Sequence, residues 1–182
     1  PSGNKNAAFP VLAASLLTEE PIVVHNVPEI EDVRTFRQLL RLLGVDIERL
    51  SPGSFRLQAR TVSDDQLDAE LFGQIRGSLV LTGALLARTG RASLPAPGGD
   101  VIGRRRVDTH IQALQALGST FTTNRVMHLT AQQLRGADIM LDEASVTGTE
   151  NTILAAVLAR GTTVIRNAAC EPHVQDLCNL LN

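Results

Sequence analysis

The chain has 182 residues, 43% hydrophobic and 20% charged, a composition that fits one globular domain able to bury a core without metals or disulfides. A net charge of -2 and the absence of Trp and Tyr argue against a general polyanion binder and against the stacking surfaces of single-stranded nucleic-acid binders. The sequence has no secretory signal and no apolar run of membrane-spanning length, so we expect a cytoplasmic protein with no nucleic-acid or membrane partner.

Hydrophobic periodicity predicts helices and short strands in alternation. In chain order, the predicted helices cover residues 4–17, 32–43, 75–87 and 107–117, and the strands cover residues 21–25, 45–50, 54–59, 92–94 and 137–141. Two further strands surround Asn124-Arg125, and a third helix pair follows a loop over residues 142–148. Pro10 must kink or shorten the first helix, because proline lacks the backbone donor that a helix interior needs.

An internal repeat relates residues 15–44, 84–118 and 156–182. Each copy has the pattern of an apolar helix, a short strand, a loop and a second amphipathic helix, and the first two copies continue into paired strands. Three leucines align between the copies, and we expect them to occupy equivalent environments around one apolar centre. They are Leu17, Leu86 and Leu158.

The repeat predicts an inside-out α/β domain, in which three βαβαββ-like units surround a pseudo-threefold axis with the apolar helices inside. We expect a single domain over residues 1–182, with repeats at approximately 1–60, 75–130 and 137–182. The first unit has no strand before its opening helix, and the third has none after its last helix. The pattern therefore predicts a domain truncated at both ends.

The stretch over residues 94–110, LPAPGGDVIGRRRVDTH, is the densest in chemical groups. Its prolines and the Gly98-Gly99 pair exclude a regular element, so Asp100 is expected on a mobile loop that can close like a lid. The three arginines over residues 104–106 precede a helix, and guanidinium groups at a helix N-terminus suit a phosphate. We interpret the stretch as an active-site loop. A solvated basic turn would have the same spacing.

Three stretches closely resemble the family of UDP-N-acetylglucosamine 1-carboxyvinyltransferases. They are SGNKNAAFPVLAASLLTEEP near the start, the loop over residues 94–110, and ASVTGTENTILAAVLARGTTVIRNAACEP near the end. The likeness covers essentially the whole chain in the correct order. Lys5-Asn6 separates this family from its shikimate-pathway sister, which typically opens with a Lys-Ser-x-Ser pattern.

The resemblance implies an enolpyruvyl transferase that needs no cofactor. Its reaction moves the enolpyruvyl group of phosphoenolpyruvate to the 3-hydroxyl of UDP-N-acetylglucosamine, which begins peptidoglycan precursor synthesis. Such a transfer needs cations on the phosphate, a proton donor to the methylene carbon and a base for the sugar hydroxyl. The four histidines show no ligand spacing, and we predict no metal site.

The resemblance also assigns the site residues. Asp100 and Lys5 are the implied catalytic residues. The implied substrate-binding residues are Lys5, Asn6, Arg76, Arg105, Arg106, Val107, Asp108, Thr109, Ala144, Ser145, Val146 and Thr147. Among these, Lys5 contacts phosphoenolpyruvate, Arg105 reaches phosphate, residues 106–109 cradle the uridine part and residues 144–147 meet the diphosphate. Without the resemblance, Lys5 would be an ordinary solvated lysine and residues 144–147 an ordinary helix cap.

The sequence departs from the family in four places, one of which is Pro95-Ala96, which lengthens the loop. Most members carry a cysteine, the proton donor that fosfomycin alkylates, where this chain has Asp100. An acid can deliver that proton if burial raises its pKa, and the alternative is a lost catalytic group. Glu143 stands where a lysine near the diphosphate is often found, and Arg106 replaces a proline. A carboxylate at position 143 would repel the ligand unless it turns away.

Family enzymes place the active site between two such domains. The resemblance therefore implies that this chain is one lobe, that the partner lobe is absent, and that the isolated chain is inactive and prone to self-association. Two alternatives stay open at this point. One is a stand-alone nucleotide-sugar binding or regulatory module, and the other is a shikimate-pathway or RNA-cyclase relative.

Overall fold

The computed structural model describes residues 3–63, 68–95, 107–124 and 126–182. The α-helices are α1 Lys5–Ala13, α2 Glu31–Leu42, α3 Ala69–Gln74, α4 Leu81–Thr89, α5 Asp108–Ala116, α6 Val146–Ala156 and α7 Pro172–Leu181. Short 3-10 helices cover Ala14–Leu17 and Arg76–Val80. The strands are β1 Ile22–Val24, β2 Asp46–Ser51, β3 Ser54–Gln58, β4 Arg91–Pro95, β5 Thr120–Thr123, β6 Val126–Thr130, β7 Asp138–Met140 and β8 Val164–Arg166.

The strands form three sheets whose order follows the sequence repeat. One antiparallel sheet has the order β1-β3-β2, and a second has the matching order β4-β6-β5. In the third sheet β7, which precedes α6 in the chain, pairs in parallel with β8, which follows it. Each sheet thus belongs to one copy of the repeat. A strand follows each of the three inner helices, which are α1 with its 3-10 turn, α4 and α6.

The same turn ends the second helix of the first two copies. Gly44 after α2 and Gly118 after α5 have φ angles of +97° and +99°. Their N–H groups donate to the carbonyls of Arg41 and Gln115, respectively, three residues earlier. Glycine adopts this left-handed conformation without the steric cost of a Cβ atom, which explains why both helices end at this residue. The repeat therefore extends from the hydrophobic pattern to the backbone hydrogen bonds.

The interior consists of helices in close contact. Leu12 of α1, Leu85 of α4 and Leu154 of α6 are completely buried. At the crossing of α4 and α6, a Cβ atom on Gly83 would overlap the backbone carbonyl of Asn151. Only a residue without a side chain lets the two backbones come so close, so Gly83 sets the distance between these helices.

Two sequence predictions need correction. The helix predicted over residues 75–87 begins as the 3-10 helix Arg76–Val80 and becomes α-helical only at Leu81, while α3 was not predicted at all. Leu158 does not share the environment of its aligned partners. Leu17 and Leu86 are buried, whereas Leu158 is 43% exposed because α6 ends at Ala156 and Leu158 lies in the turn that follows.

The first helix behaves as Pro10 predicts. Regular α-helix ends at Ala13, and the chain continues as a tighter 3-10 turn to Leu17. Pro10 is itself buried inside α1, where its ring removes one backbone hydrogen bond. Among the described residues, no helix has both the length and the apolar character needed to cross a membrane.

Candidate functional site

The N-termini of α5 and α6 lie against each other. Thr109, in the first turn of α5, donates a hydrogen bond from its hydroxyl to the Asp142 carboxylate just before α6. The Thr109 methyl group also lies against Gly148, where an added Cβ would come within 3.2 Å. Two helix N-termini, each with backbone N–H groups that lack an intrahelical partner, therefore share one surface.

Ser145 shapes the start of α6. Its hydroxyl oxygen accepts a hydrogen bond from the Gly148 N–H at 3.1 Å, and its own N–H donates to the Glu143 carbonyl at 2.8 Å. Ala144 is exposed, while Ser145, Val146 and Thr147 are half-buried. The turn thus keeps the first N–H groups of α6 near the surface, an arrangement that suits an anion.

Arg76 begins the 3-10 helix that leads into α4. The next residue, Gly77, has no room for a side chain because the Phe9 ring of α1 occupies that space. Arg76 therefore lies where the first and second copies of the repeat meet. Its positive charge reaches the imidazole of His110 in α5, since it helps to lower the pKa of that group.

His110 is a buried residue between these elements. Its Nδ1 lies 2.9 Å from Nδ2 of Asn151 in α6, and its Nε2 lies 3.3 Å from the Thr147 hydroxyl. Burial, and then the nearby Arg76, lower its pKa from 6.5 to about 4. The imidazole is therefore neutral at pH 7. The sequence analysis placed His110 at the end of the active-site stretch, two residues after Asp108, but gave it no role.

Lys5 and Asn6 lie at the start of α1. The side chain of Asn4 caps this helix by accepting from the Asn6 N–H at 2.8 Å. The Lys5 ammonium pairs at 2.9 Å with Asp32 in the first turn of α2, and both side chains keep over 40% of their surface exposed. Asp32, which was not among the predicted residues, thus holds the lysine at an accessible surface.

The described substrate-binding residues fall into two groups. The first contains Arg76 together with residues 107–109 and 144–147, while Lys5 and Asn6 form the second at the start of α1. Asp100, Arg105 and Arg106 lie outside the described residues. The individual roles of all these residues stay predictions.

A buried carboxyl group lies one turn further into α6. Glu150 is 1% exposed, and its Oε1 lies 3.8 Å from Nε2 of His173, too far for a hydrogen bond. Burial, and then the charge of Glu171, raise the pKa of Glu150 from 4.5 to about 8. The carboxyl is therefore mostly protonated at neutral pH, because the interior disfavours its charge.

Glu150 and His110 should affect stability in opposite directions. The raised pKa of Glu150 adds stability below pH 4.5 that is lost as the pH rises to 8, whereas the lowered pKa of His110 removes stability as the pH falls from 6.5 to 4. Of these two groups, only Glu150 changes the stability between pH 6.5 and 8. Over this range we expect its ionisation to lower the unfolding free energy by about 2 kcal/mol.

Chemical denaturation of the purified chain across this pH range measures the effect. Glu150→Gln should remove the decline, because an amide does not ionise. Glu171→Gln is the matched control, since Glu171 is exposed and is only the second cause of the shift. A decline that survives in Glu150→Gln would contradict the prediction.

Comparisons with known sequences place the chain among longer proteins. The sequence profile of the family described as EPSP synthase (3-phosphoshikimate 1-carboxyvinyltransferase) matches residues 1–182. The UDP-N-acetylglucosamine 1-carboxyvinyltransferase of Treponema denticola is 54% identical over 181 residues, which cover 100% of this chain and 42% of that relative. The enzyme of the same name from Bradyrhizobium diazoefficiens is 51% identical, with the same coverage. The chain thus spans less than half the length of these relatives.

Solved structures give the same picture of the fold. The enolpyruvyl transferase NikO from Streptomyces tendae has a TM-score of 0.85 at 24% identity, over 99% of this chain and 43% of its own. EPSP synthase from Acinetobacter baumannii has a TM-score of 0.73 at 21% identity, over 96% and 41%. At these identities the likeness concerns the fold alone, and it confirms the fold class expected from the sequence.

Proposed function

The chain belongs to the family described as EPSP synthase (3-phosphoshikimate 1-carboxyvinyltransferase), and from this membership we propose that it forms one lobe of a UDP-N-acetylglucosamine 1-carboxyvinyltransferase. The complete enzyme would transfer the enolpyruvyl group of phosphoenolpyruvate to the 3-hydroxyl of UDP-N-acetylglucosamine and release phosphate. Both substrates are metabolites of the cytoplasm, where this first committed step of peptidoglycan synthesis would take place.

The observation that carries the proposal is the meeting of the α5 and α6 N-termini beside Arg76. Helix N-termini present partial positive charge and free N–H donors, and Arg76 adds a full positive charge. Phosphate groups bind where such positive charge and N–H donors converge, and a nucleotide sugar carries two phosphate groups. In this scheme the Ser145 turn binds the diphosphate and residues 106–109 bind the uridine part.

Lys5 and Asp100 would carry the chemistry. The Lys5 ammonium, held by Asp32, would balance the charge of phosphoenolpyruvate, and Asp100 would donate the proton to its methylene carbon. A partner lobe would supply the base for the sugar hydroxyl. Exposed apolar side chains in the third copy of the repeat favour contact with another lobe or self-association of the isolated chain. They are Met140, Val157, Leu158 and Val164.

One observation favours this function over the alternatives. Identity of 51–54% to relatives that carry this name, against 21% to the shikimate-type structure, argues for the nucleotide-sugar substrate. A stand-alone binding module would share the nucleotide site without the catalytic role of Lys5.

Titration of UDP-N-acetylglucosamine into the purified chain tests the nucleotide site. We expect weak binding, no turnover, and a loss of affinity of roughly tenfold or more in Arg76→Gln, because a charge-assisted contact to phosphate disappears. Arg166→Gln is the control with the same change of charge, since Arg166 pairs with Asp138 on the exposed face of β7 and β8. Equal effects of the two variants would count against the site.

A further inference from the structure

We propose that His110 and Asn151 are positioning residues, which together aim the hydroxyl hydrogen of Thr147 at an anionic oxygen of the ligand. The proposal rests on the proposed function for the kind of ligand, a nucleotide sugar whose diphosphate supplies such an oxygen. Which atom donates and which accepts in each hydrogen bond follows from the geometry of the described residues alone. The sequence analysis gave neither His110 nor Asn151 a role.

The orientation of the Asn151 amide starts the chain of hydrogen bonds. Its Oδ1 accepts from the Gly83 N–H, and its Nδ2 donates to the Leu79 carbonyl at 2.8 Å. Rotating the amide by half a turn would place a donor against a donor and an acceptor against an acceptor. Two backbone groups therefore fix which end of the amide faces His110, and that end is Nδ2.

The tautomer of His110 follows from this orientation. Nδ2 of Asn151 has a second hydrogen, which points to Nδ1 of His110 at 2.9 Å. Nδ1 must then be the acceptor, so the ring proton is on Nε2 and is donated to the Thr147 hydroxyl at 3.3 Å. Because the oxygen of Thr147 accepts this bond, its own hydrogen is left to donate.

Thr147 occupies the place where that donor is useful. It lies in the first turn of α6, is half-buried, and in the part of the chain that the structure describes its hydroxyl hydrogen-bonds only to His110. The free N–H groups of α6 face the same surface. Because the lowered pKa keeps His110 neutral, its ring places no second positive charge beside Arg76.

Nitrogen chemical shifts of the His110 ring test the tautomer directly. Long-range 15N–1H correlation spectra of the purified chain without ligand should show a protonated Nε2 and an unprotonated Nδ1 at neutral pH. His110→Asn identifies the signals. A protonated Nδ1, or a charged ring, would overturn the proposal whether or not the chain binds a nucleotide sugar.

Affinity for UDP-N-acetylglucosamine tests the consequence in the complete enzyme. His110→Asn keeps an acceptor for Asn151 but lacks a donor that reaches Thr147, whereas His110→Gln keeps a donor near the position of Nε2. We expect KM for the nucleotide sugar to rise about tenfold in His110→Asn and clearly less in His110→Gln, with a smaller change in kcat and in KM for phosphoenolpyruvate. Equal losses in both variants would overturn the proposal.

A double-mutant cycle with Thr147 separates positioning from general destabilisation. Thr147→Val, which removes the hydroxyl and keeps the shape, should raise KM as much as His110→Asn, and the double variant should be no worse than either single variant. Thr147→Ser should recover most of the affinity. Additive losses, or a Thr147→Val variant with unchanged affinity, would overturn the proposal even if His110→Asn proves too unstable to measure.

Failure of the proposed function has a different signature. A wild-type enzyme that does not bind UDP-N-acetylglucosamine would refute that function and the ligand half of this proposal together. The ring nitrogen shifts would still decide the order of the hydrogen bonds. Intact wild-type binding with additive variants would refute the positioning role alone.

Discussion

Replacing Asp100 by Asn in the complete enzyme is expected to reduce phosphate release from phosphoenolpyruvate by roughly 10²–10⁴-fold, the contribution typical of a positioned proton donor. The amide keeps the size and polarity of the acid but has no acidic proton. Asp138→Asn is the matched control, because Asp138 lies on the exposed face of β7 and pairs with Arg166. An Asp100→Asn enzyme as fast as wild type would remove this residue from the reaction.

Asp100→Cys tests the same role in the opposite direction. A thiol can also donate the proton, so this variant should retain activity, and it should gain inactivation by the epoxide fosfomycin. A thiolate attacks an epoxide far better than a carboxylate does. The assay is phosphate release after incubation with and without the drug. Rapid inactivation of the wild-type enzyme, or a resistant Asp100→Cys variant that retains activity, would contradict the assignment.

Gly83→Ala should cause the largest loss of stability of any single change considered for this chain. The new Cβ would overlap the Asn151 backbone carbonyl, and helices α4 and α6 would have to separate. Overpacking of this kind typically costs about 1–3 kcal/mol, and loss of the Gly83 hydrogen bond to the Asn151 side chain adds about 1 kcal/mol or more. Denaturant unfolding of the purified chain measures the sum.

Gly73→Ala is the matched control for Gly83→Ala. Gly73 lies in α3, and a Cβ atom there would meet no atom within 4 Å. Alanine favours a helix over glycine by roughly 0.5–1 kcal/mol, so this variant should be slightly more stable than wild type. Similar destabilisation by both changes would mean that helix packing at Gly83 is not the cause.

Local sequence patterns were enough to predict most of the framework. The helices predicted over residues 32–43 and 107–117 agree with α2 and α5 to within one residue at each end, and the order of elements in the first two copies follows from hydrophobic period and turn residues. The exposure of the Leu158 side chain could not be predicted in the same way. Its exposure depends on where α6 ends relative to the third sheet, and the repeat fixes only the alignment.

The candidate site divides along the same line. Motif residues such as Lys5 and Thr147 could be named because a family resemblance marks them. Asp32, His110 and Asn151 have their roles only through contacts between residues 27, 37 and 41 positions apart in the chain. A lone histidine or asparagine in a helical pattern carries no mark of such contacts, since burial and tautomer depend on tertiary packing.

The amide of Asn151 joins the packing of the interior to the proposed ligand surface. One side chain accepts from Gly83, donates to Leu79 and donates to His110, so it serves a helix crossing and a binding group simultaneously. Because one side chain makes both sets of contacts, a substitution at any of the contacting positions should be accepted only together with substitutions at the others. We therefore expect epistasis across the domain: a homologue that acquires a side chain at position 83 should also differ at positions 151 and 110, and recombination between such homologues within α4–α6 should produce mismatched, poorly functional chimaeras.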